Sequence, residues 1–289
     1  MSGSKLGEAV HKWILDLLRD SAKTWLSRIF NFMNGQIIGL SDTIGQTPEN
    51  WNTSVYGMAK NISETVILPI AAVILAYVFA VEVHDMFVDK NNMRKIEFNE
   101  VLALLIKMGV GAFLLGHTFD IVAGIFSVAQ WAVNKAAAVA TGAGNMHAGD
   151  AIIAAVETED SISALIGICV MSLLIWIIMS IVGVLCSVIC AGRFIEIYFY
   201  ISAAPIPFAT FLNRDWSQTG NNYLRGLASL GLQGLLMILC LSIYGALVAN
   251  MNVTGDVIDA LWDCVKYAVL LVFILFKTGT ISKSILNAH

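Results

Sequence analysis

The longest uncharged stretch of the sequence is residues 162–191, which contain no Asp, Glu, Lys or Arg. A helix crosses the hydrocarbon core of a bilayer with about 20 apolar residues, so this stretch is long enough to span it and to project past one face. The whole chain is 57% hydrophobic and only 13% charged, whereas a soluble domain carries about 25% charged residues. The sequence therefore predicts an all-α, polytopic membrane protein. About five transmembrane helices are expected, at residues 62–83, 101–133, 162–191, 227–248 and 257–276.

The first 45 residues have a different pattern from the rest of the chain. Apolar residues such as Leu6, Val10 and Trp13 recur at steps of three and four, and charged residues fill the other side. This spacing predicts an amphipathic helix that lies at the lipid–water interface or packs along a neighbouring helix. Residues 35–61 contain several turn-forming residues and are interpreted as a loop. The predicted division is an amphipathic helix at 1–45, a linker at 46–61 and a transmembrane domain at 62–289.

Two of the connections and one span bear on topology. Residues 101–133 would form a helix of about 50 Å, which exceeds a bilayer core, so this span must tilt, break or protrude. Residues 85–99 are hydrophilic, and residues 134–161 are interpreted as a loop that is rich in Ala and Gly and then acidic.

Positive charges favour the cytoplasmic side of a membrane protein, but here they allow two orientations. If every block crosses and the N-terminus is inside, most Lys and Arg residues lie inside. If residues 194–212 do not cross and the N-terminus is outside, most also lie inside once the amphipathic helix is set aside. The second orientation places the acidic loop outside and Arg193 and Arg214 inside. Charge alone leaves both open.

The most distinctive segment follows residue 191. Arg193 and Glu196 are three residues apart, so on a helix they share a face and are able to form an ion pair. Pro205 and Pro207 then end any regular helix, which predicts a re-entrant or kinked segment. Irregular backbone at membrane depth is tolerated only against protein or a water-filled cavity. These four residues are therefore candidates to line a passage or a subunit interface, and the alternative is an elbow between two helices at the membrane edge.

Three ionisable residues, Lys107, His117 and Asp120, lie in the second apolar block. Such residues are costly inside a bilayer and usually face a bundle interior or water. His117 and Asp120 are three apart and are placed to hydrogen-bond, so they are candidates for a channel or a proton relay. Because the block is overlong, they equally fit a position at a protruding end.

The sequence contains no signature of catalysis or metal binding. It has no phosphate-binding loop, nucleophile elbow, zinc-ligand spacing or paired catalytic carboxylates, so no enzymatic activity, cofactor or metal is expected. Net charge is −4, which gives no bulk basic character. Mostly small residues recur every four positions in the second block, at Ala112, Gly116, Asp120 and Gly124, and such stripes let helices approach closely. We expect a homo-oligomer.

The segment GRFIEIYFYISAAPIPFATF, the amphipathic N-terminal helix, the long uncharged helix ending in Arg and the closing FKTGTISKSILNAH together carry a family resemblance. They resemble the TrbL-like polytopic membrane subunits of type IV secretion systems, in particular those of conjugative elements in Gram-positive bacteria. The resemblance covers nearly the whole chain, although residues 134–161 are short beside the exported loop of some relatives.

The resemblance implies a multi-pass protein of the bacterial inner (cytoplasmic) membrane with an outside N-terminus and five spans. Its function would be that of a channel or scaffold component in conjugative DNA transfer. Its partners would be the bilayer, other secretion subunits, further copies of itself and the transferred DNA or protein. Two alternatives from other classes remain: a secondary transporter or ion channel that uses the intramembrane ionisable residues, and a passive scaffold.

Overall fold

A computed structural model describes residues 2–88, 98–140, 148–211, 216–251 and 257–288. All regular secondary structure in these residues is helical, which confirms the all-α prediction. The helices are α1 (Ser2–Gly45), α2 (Pro48–Trp51), α3 (Thr53–Ile62), α4 (Leu68–Val88), α5 (Phe98–Gly116), α6 (Thr118–Ala140), α7 (Ala148–Glu157), α8 (Ile162–Ala203), α9 (Pro205–Ala209), α10 (Ser217–Ala249) and α11 (Val257–Ile285). A π-helical segment, Ser63–Ile67, joins α3 to α4.

The chain forms two compact units, each assembled from separate stretches of sequence. Unit 1 contains residues 1–45, 133–190 and 235–278, and unit 2 contains residues 46–132, 191–234 and 279–289. Four of the long helices, α6, α8, α10 and α11, therefore contribute residues to both units.

The core of unit 1 is built around α1. Leu26 and Ile29 of α1 are fully buried in one apolar cluster with Ile152 of α7 and Leu165 and Ile175 of α8. α10 and α11 complete this cluster. The apolar stripe predicted from the sequence is therefore the buried face of α1, which packs along neighbouring helices of its own unit. Of the two placements that the sequence left open for this helix, the structure has the second.

In unit 1, α1 runs parallel to α8 over much of the uncharged block. The Trp25 and Trp176 ring centroids are 6.1 Å apart. Seven residues further along each helix, a Cβ built on Gly183 would lie 2.9 Å from Phe32 Cζ. The equal step of seven residues means that the two helices run in the same direction, and they pack closely at Gly183.

Unit 2 has two apolar clusters. The larger contains Phe119 and Phe126 of α6, Phe194 and Ile201 of α8, and Leu227 of α10. The smaller joins α4, α5 and α9 through Ala71, Leu75, Leu115 and Ala209.

The π-helical segment ends at Ile67, two residues before Pro69. A proline inside a helix lacks an N–H and its ring collides with the carbonyl four residues earlier, here that of Thr65. Thr65 lies in the π-helical segment, and the Leu68 N–H donates to Ser63 O, five residues back. The wider turn makes room for the ring, so the helical path continues from Thr53 to Val88 despite the proline.

Five helical stretches of the described residues are long and apolar enough to cross a membrane: Thr53–Val88, Phe98–Gly116, Thr118–Val139, Ile162–Ala209 and Ser217–Ala249. The expected number is confirmed, but the membership differs. The overlong block 101–133 breaks at His117 into α5 and α6, and α11 is not among the five. α8 is 42 residues long, about 63 Å at 1.5 Å per residue, and continues past Arg193 to Ala203.

Two predicted loops are largely helical; residues 141–147 of the second lie outside the described residues. Residues 35–61 are mostly helical, because turn-forming residues of this stretch lie at the ends and starts of helices. Thr47 accepts a hydrogen bond from Asn50 N, with Pro48 at the first position of α2, and Asn52 accepts one from Val55 N at the start of α3. Within 134–161, α6 continues to Ala140 and α7 occupies Ala148–Glu157.

Candidate functional site

Arg193 of α8 is a buried cation in unit 2. Its side chain is 2% exposed, and Nε donates a hydrogen bond to the Leu230 carbonyl of α10 at 3.4 Å. The guanidinium carbon lies 5.7 Å from the centre of the Phe194 ring. Burial of a charge is costly unless hydrogen bonds and aromatic faces replace water. Arg193 therefore depends on the arrangement of α8 and α10 around it.

An aromatic cluster packs beside Arg193 and joins α2 to α8. The Trp51 ring stacks on Phe194 with centroids 4.8 Å apart and planes 4° from parallel. The Tyr198 hydroxyl donates to the Pro48 carbonyl at 2.7 Å. Aromatic pairs of this kind add about 0.5–1.5 kcal/mol beyond their area burial. The segment expected to be a linker is thus part of the packing around Arg193.

The structure gives Glu196 a different partner from the one expected. The sequence suggested an ion pair with Arg193, but the Glu196 carboxylate accepts a hydrogen bond from Lys283 Nζ of α11 at 2.9 Å. Arg193 instead extends toward α10. Both Glu196 and Lys283 are partly exposed, and the hydrogen bond to Glu196 raises the pKa of the Lys283 amine. The pair joins the end of α11 to α8.

The prolines end α8 as predicted. α8 stops at Ala203, and α9 begins at Pro205. The first turn of a helix needs no N–H partner, so proline is well accommodated there. Pro205 and Pro207 are both buried, and Thr210 caps the end of α9 by donating to the Pro207 carbonyl at 2.8 Å. α9 is held against α4 and α5 by the smaller cluster.

Lys107, His117 and Asp120 are not brought together. Lys107 Nζ is 3.6 Å from Glu82 of α4. Asp120 is 3.8 Å from Lys60 Nζ of α3, and His117 Nδ1 lies 3.0 Å from the Phe113 carbonyl, so this nitrogen is the donor. The expected His117–Asp120 hydrogen bond is replaced by these separate contacts.

A comparison with protein families identifies the family of this chain. A family model described as TrbL/VirB6 plasmid conjugal transfer like protein matches residues 33–205. The match covers more than half of the chain. The chain belongs to the TrbL/VirB6 family. A comparison with curated proteins finds no match.

The family match confirms the resemblance drawn from the sequence. It begins within α1, contains Arg193 and Glu196, and ends at Pro205. With five helices able to cross a membrane, this member of the TrbL/VirB6 family is a multi-pass membrane protein of the conjugation machinery. The family is part of the structural apparatus of conjugation and is not a known enzyme family.

Three residues that shape the site were not predicted: Trp51, Lys60 and Lys283. A signal for the first was present, because Thr47 followed by Pro48 is typical of a helix start, which would have placed Trp51 on a helix. No local pattern indicates Lys283, whose partner is 87 residues away.

In unit 1 of this family member, α1 is joined by ion pairs and hydrogen bonds to the acidic stretch 157–160 at the end of α7. Arg19 donates to the Glu159 carbonyl at 2.8 Å and to Asp160 at 2.5 Å. Lys23 Nζ is 2.6 Å from Glu157, and this hydrogen bond holds the pKa of the Glu157 carboxyl below its usual range. These contacts place Arg19 and the acidic stretch on the same side of the protein.

Metal-ligand geometry is lacking in the described part of the chain. No group of three or more His, Cys, Asp or Glu residues there is arranged to hold an ion. Cys186, Cys190 and Cys264 are buried in the apolar core of unit 1.

Proposed function

We propose that this protein is a channel subunit of a type IV secretion machine in the bacterial cytoplasmic membrane. It would act as a homo-oligomer with other secretion subunits and pass DNA or protein during conjugation, without catalysing a reaction. The observation that carries this proposal is the TrbL/VirB6 match over residues 33–205. Five membrane-capable helices support the location in a bilayer.

The geometry around Arg193 supports a role in which packing matters. Ala204, at the break between α8 and α9, is buried in the larger cluster, and α9 packs against α4 and α5, as irregular backbone in a membrane protein requires. The buried Arg193 is held by α10. A cation kept at this position ties the end of α8 to one arrangement of its neighbours, and in our proposal that arrangement shapes the passage or the subunit contact.

The transporter alternative receives less support from the ionisable residues. A proton or ion relay needs such groups to converge, whereas Lys107, His117 and Asp120 have separate partners. The scaffold alternative differs from the channel in one measurable respect, because a scaffold does not itself let solutes pass.

The proposal is tested by deleting the gene from a donor strain that carries the conjugative element. We expect transfer frequency to fall to background and to return when the gene is supplied in trans. Native mass spectrometry in mild detergent should show an oligomer. Unchanged transfer in the deletion strain would refute the proposal. A solute-tight oligomer in vesicles, with transfer still dependent on the gene, would favour the scaffold.

The proposed orientation has the N-terminus and the acidic stretch outside and the start of α10 inside. It is tested with two matched variants, Thr158→Cys after α7 and Thr219→Cys in α10, both at exposed positions, in a background whose native cysteines are replaced by alanine. An impermeant thiol reagent should label Thr158→Cys in intact cells and Thr219→Cys only after lysis. Equal labelling of both in intact cells would contradict the orientation. Arg214, expected inside, lies outside the described residues.

A further inference from the structure

The outward face of α1 is polar along the part of the helix that packs beside α8. Between residues 21 and 45 the exposed positions recur at steps of three and four and lie within an arc of about 100°. Only one of them, Ile38, is a large apolar residue. The others, which we name the α1 outer face, are Thr24, Arg28, Asn31, Gly35, Gly39 and Asp42.

The exposed side of α8 is entirely different over the same stretch. Its exposed large residues include Ile177, Ile181, Val184 and Val188, and no charge occurs between residues 162 and 191. This surface is suited to contact with lipid chains. Two parallel helices of the same unit therefore present opposite chemistry outward.

Contacts within unit 1 set the depth of the α1 outer face. Trp25 meets Trp176, which lies at the middle of the uncharged block. Arg28 follows Trp25 by one turn, and its guanidinium carbon lies 5.0 Å from the Trp25 ring centre. Gly35 follows Phe32, which meets Gly183. The polar residues are thus beside the part of α8 that a bilayer would surround.

Contact with lipid chains is unfavourable for the α1 outer face. A charged side chain within a bilayer is costly, and such residues usually face protein or water. The space outside the face is open, because a Cβ built on Gly35 or Gly39 would meet nothing within 4 Å. The described residues of the chain leave the α1 outer face uncovered, so at membrane depth this face requires contact with water or with another protein surface.

We propose that the α1 outer face lines the water-filled passage of the assembled channel, so that α1 is a sixth helix at membrane depth. This inference rests on the proposed channel function and adds the residues that contact the passing substrate. Arg28, Asn31 and Asp42 would contact water and the substrate. Gly35 and Gly39 have no side chain and would not narrow the passage. The apolar side of α8 would face the lipid.

The two charges argue against the other occupant, a second α1 packed closely on this face. Copies with the same orientation in the membrane have parallel α1 helices. A symmetric pair centred on Gly35 and Gly39 would bring Arg28 near its own copy and Asp42 near its own copy. Like charges brought together in a low dielectric repel strongly. Water between the copies removes that conflict.

The experiment compares Asn31→Cys on the α1 outer face with Val184→Cys on the exposed side of α8, in the background without native cysteines. The two positions lie at similar depth, because Phe32 meets Gly183. A quaternary-ammonium thiosulfonate is applied to donor cells during mating. Thiols react as thiolates, which form in water, so we expect Asn31→Cys to react at least about tenfold faster. Gly35→Cys should behave like Asn31→Cys.

Equal, slow reaction at Asn31→Cys and Val184→Cys would overturn the proposal. Slow reaction of Asn31→Cys together with disulfide formation between copies would also overturn it and would show a dry interface. A bulky adduct on Asn31→Cys should reduce DNA transfer, whereas the same adduct on Thr158→Cys should not. Fast labelling of Asn31→Cys without any loss of DNA transfer would show that the α1 outer face is exposed to water but would refute the channel function.

Discussion

Replacement of Arg193 by alanine is expected to lower DNA transfer strongly and to destabilise unit 2 by about 2–4 kcal/mol. The variant loses a charge-assisted hydrogen bond to the Leu230 carbonyl, and such bonds are worth about 1.5–3 kcal/mol. It also loses buried methylene groups at about 0.8 kcal/mol each. Mating assays beside membrane immunoblots, with thermal unfolding of the purified protein, measure these effects.

Arg193→Lys is the control for charge alone. We expect it to restore transfer only in part, because an ammonium lacks the planar fork and the aromatic stacking of a guanidinium. DNA transfer by Arg193→Ala at the wild-type frequency would refute a role for Arg193 in transfer. Loss of the protein from the membrane would make Arg193 a stability residue.

The separate partners of Arg193 and Glu196 sharpen this test. Adding Glu196→Gln to Arg193→Ala should give no recovery, because Glu196 pairs with Lys283. The double variant Glu196→Lys with Lys283→Glu should support a higher frequency of DNA transfer than either single variant. If the first double variant recovered and the second did not, Arg193 would be the true partner of Glu196.

Replacement of Gly183 by leucine is expected to push α1 away from α8 and to reduce both stability and transfer. A Cβ at this position would lie 2.9 Å from Phe32 Cζ, which is closer than packed atoms allow, and 3.1 Å from Gln36 Cδ, so both side chains of α1 must shift. Overpacking of a filled core costs about 1–3 kcal/mol, and leucine adds more atoms than the Cβ alone. The melting temperature of the purified protein is the direct measurement.

Gly192→Leu is the matched control on the same helix. A Cβ there would meet nothing within 4 Å, and leucine favours helix more than glycine does. We expect its melting temperature and transfer to equal or exceed those of the unsubstituted protein. Equal behaviour of the two variants would show that α1 does not pack on α8 at Gly183.

The helical class followed from sequence because uncharged length and apolar periodicity are local properties. The failures occurred where tertiary packing or capping decides. The loop predicted at residues 35–61 rested on turn-forming residues such as Gly45 and Pro48. Gly45 nevertheless lies in α1, whose buried residues pack in the core of unit 1. The break at His117 follows Gly116, the last residue of α5, but that glycine was interpreted as part of a packing stripe of small residues. Propensity is a weak prior in such places, and packing overrides it.

The sequence predicted which residues belong to the candidate site but not which residues they contact. Pro205 and Pro207 act through their own backbone chemistry, so the end of α8 was foreseeable. The pairing of Arg193 with Glu196 was predicted from spacing alone, and helical spacing indicates only partners three or four residues away. Their structural partners are 37 and 87 residues further along the chain. Contacts of that separation leave no trace in the pattern around either residue.

The same separations impose an order on biosynthesis. α8 leaves the ribosome before α10, so Arg193 enters the membrane before the Leu230 carbonyl exists. At about 5–20 residues per second, the intervening 37 residues take about 2–7 s to make. Until then the guanidinium lacks the Leu230 carbonyl as an acceptor. A translational pause between the two helices would lengthen that interval, and it would harm this protein more than a pause after α10 is complete.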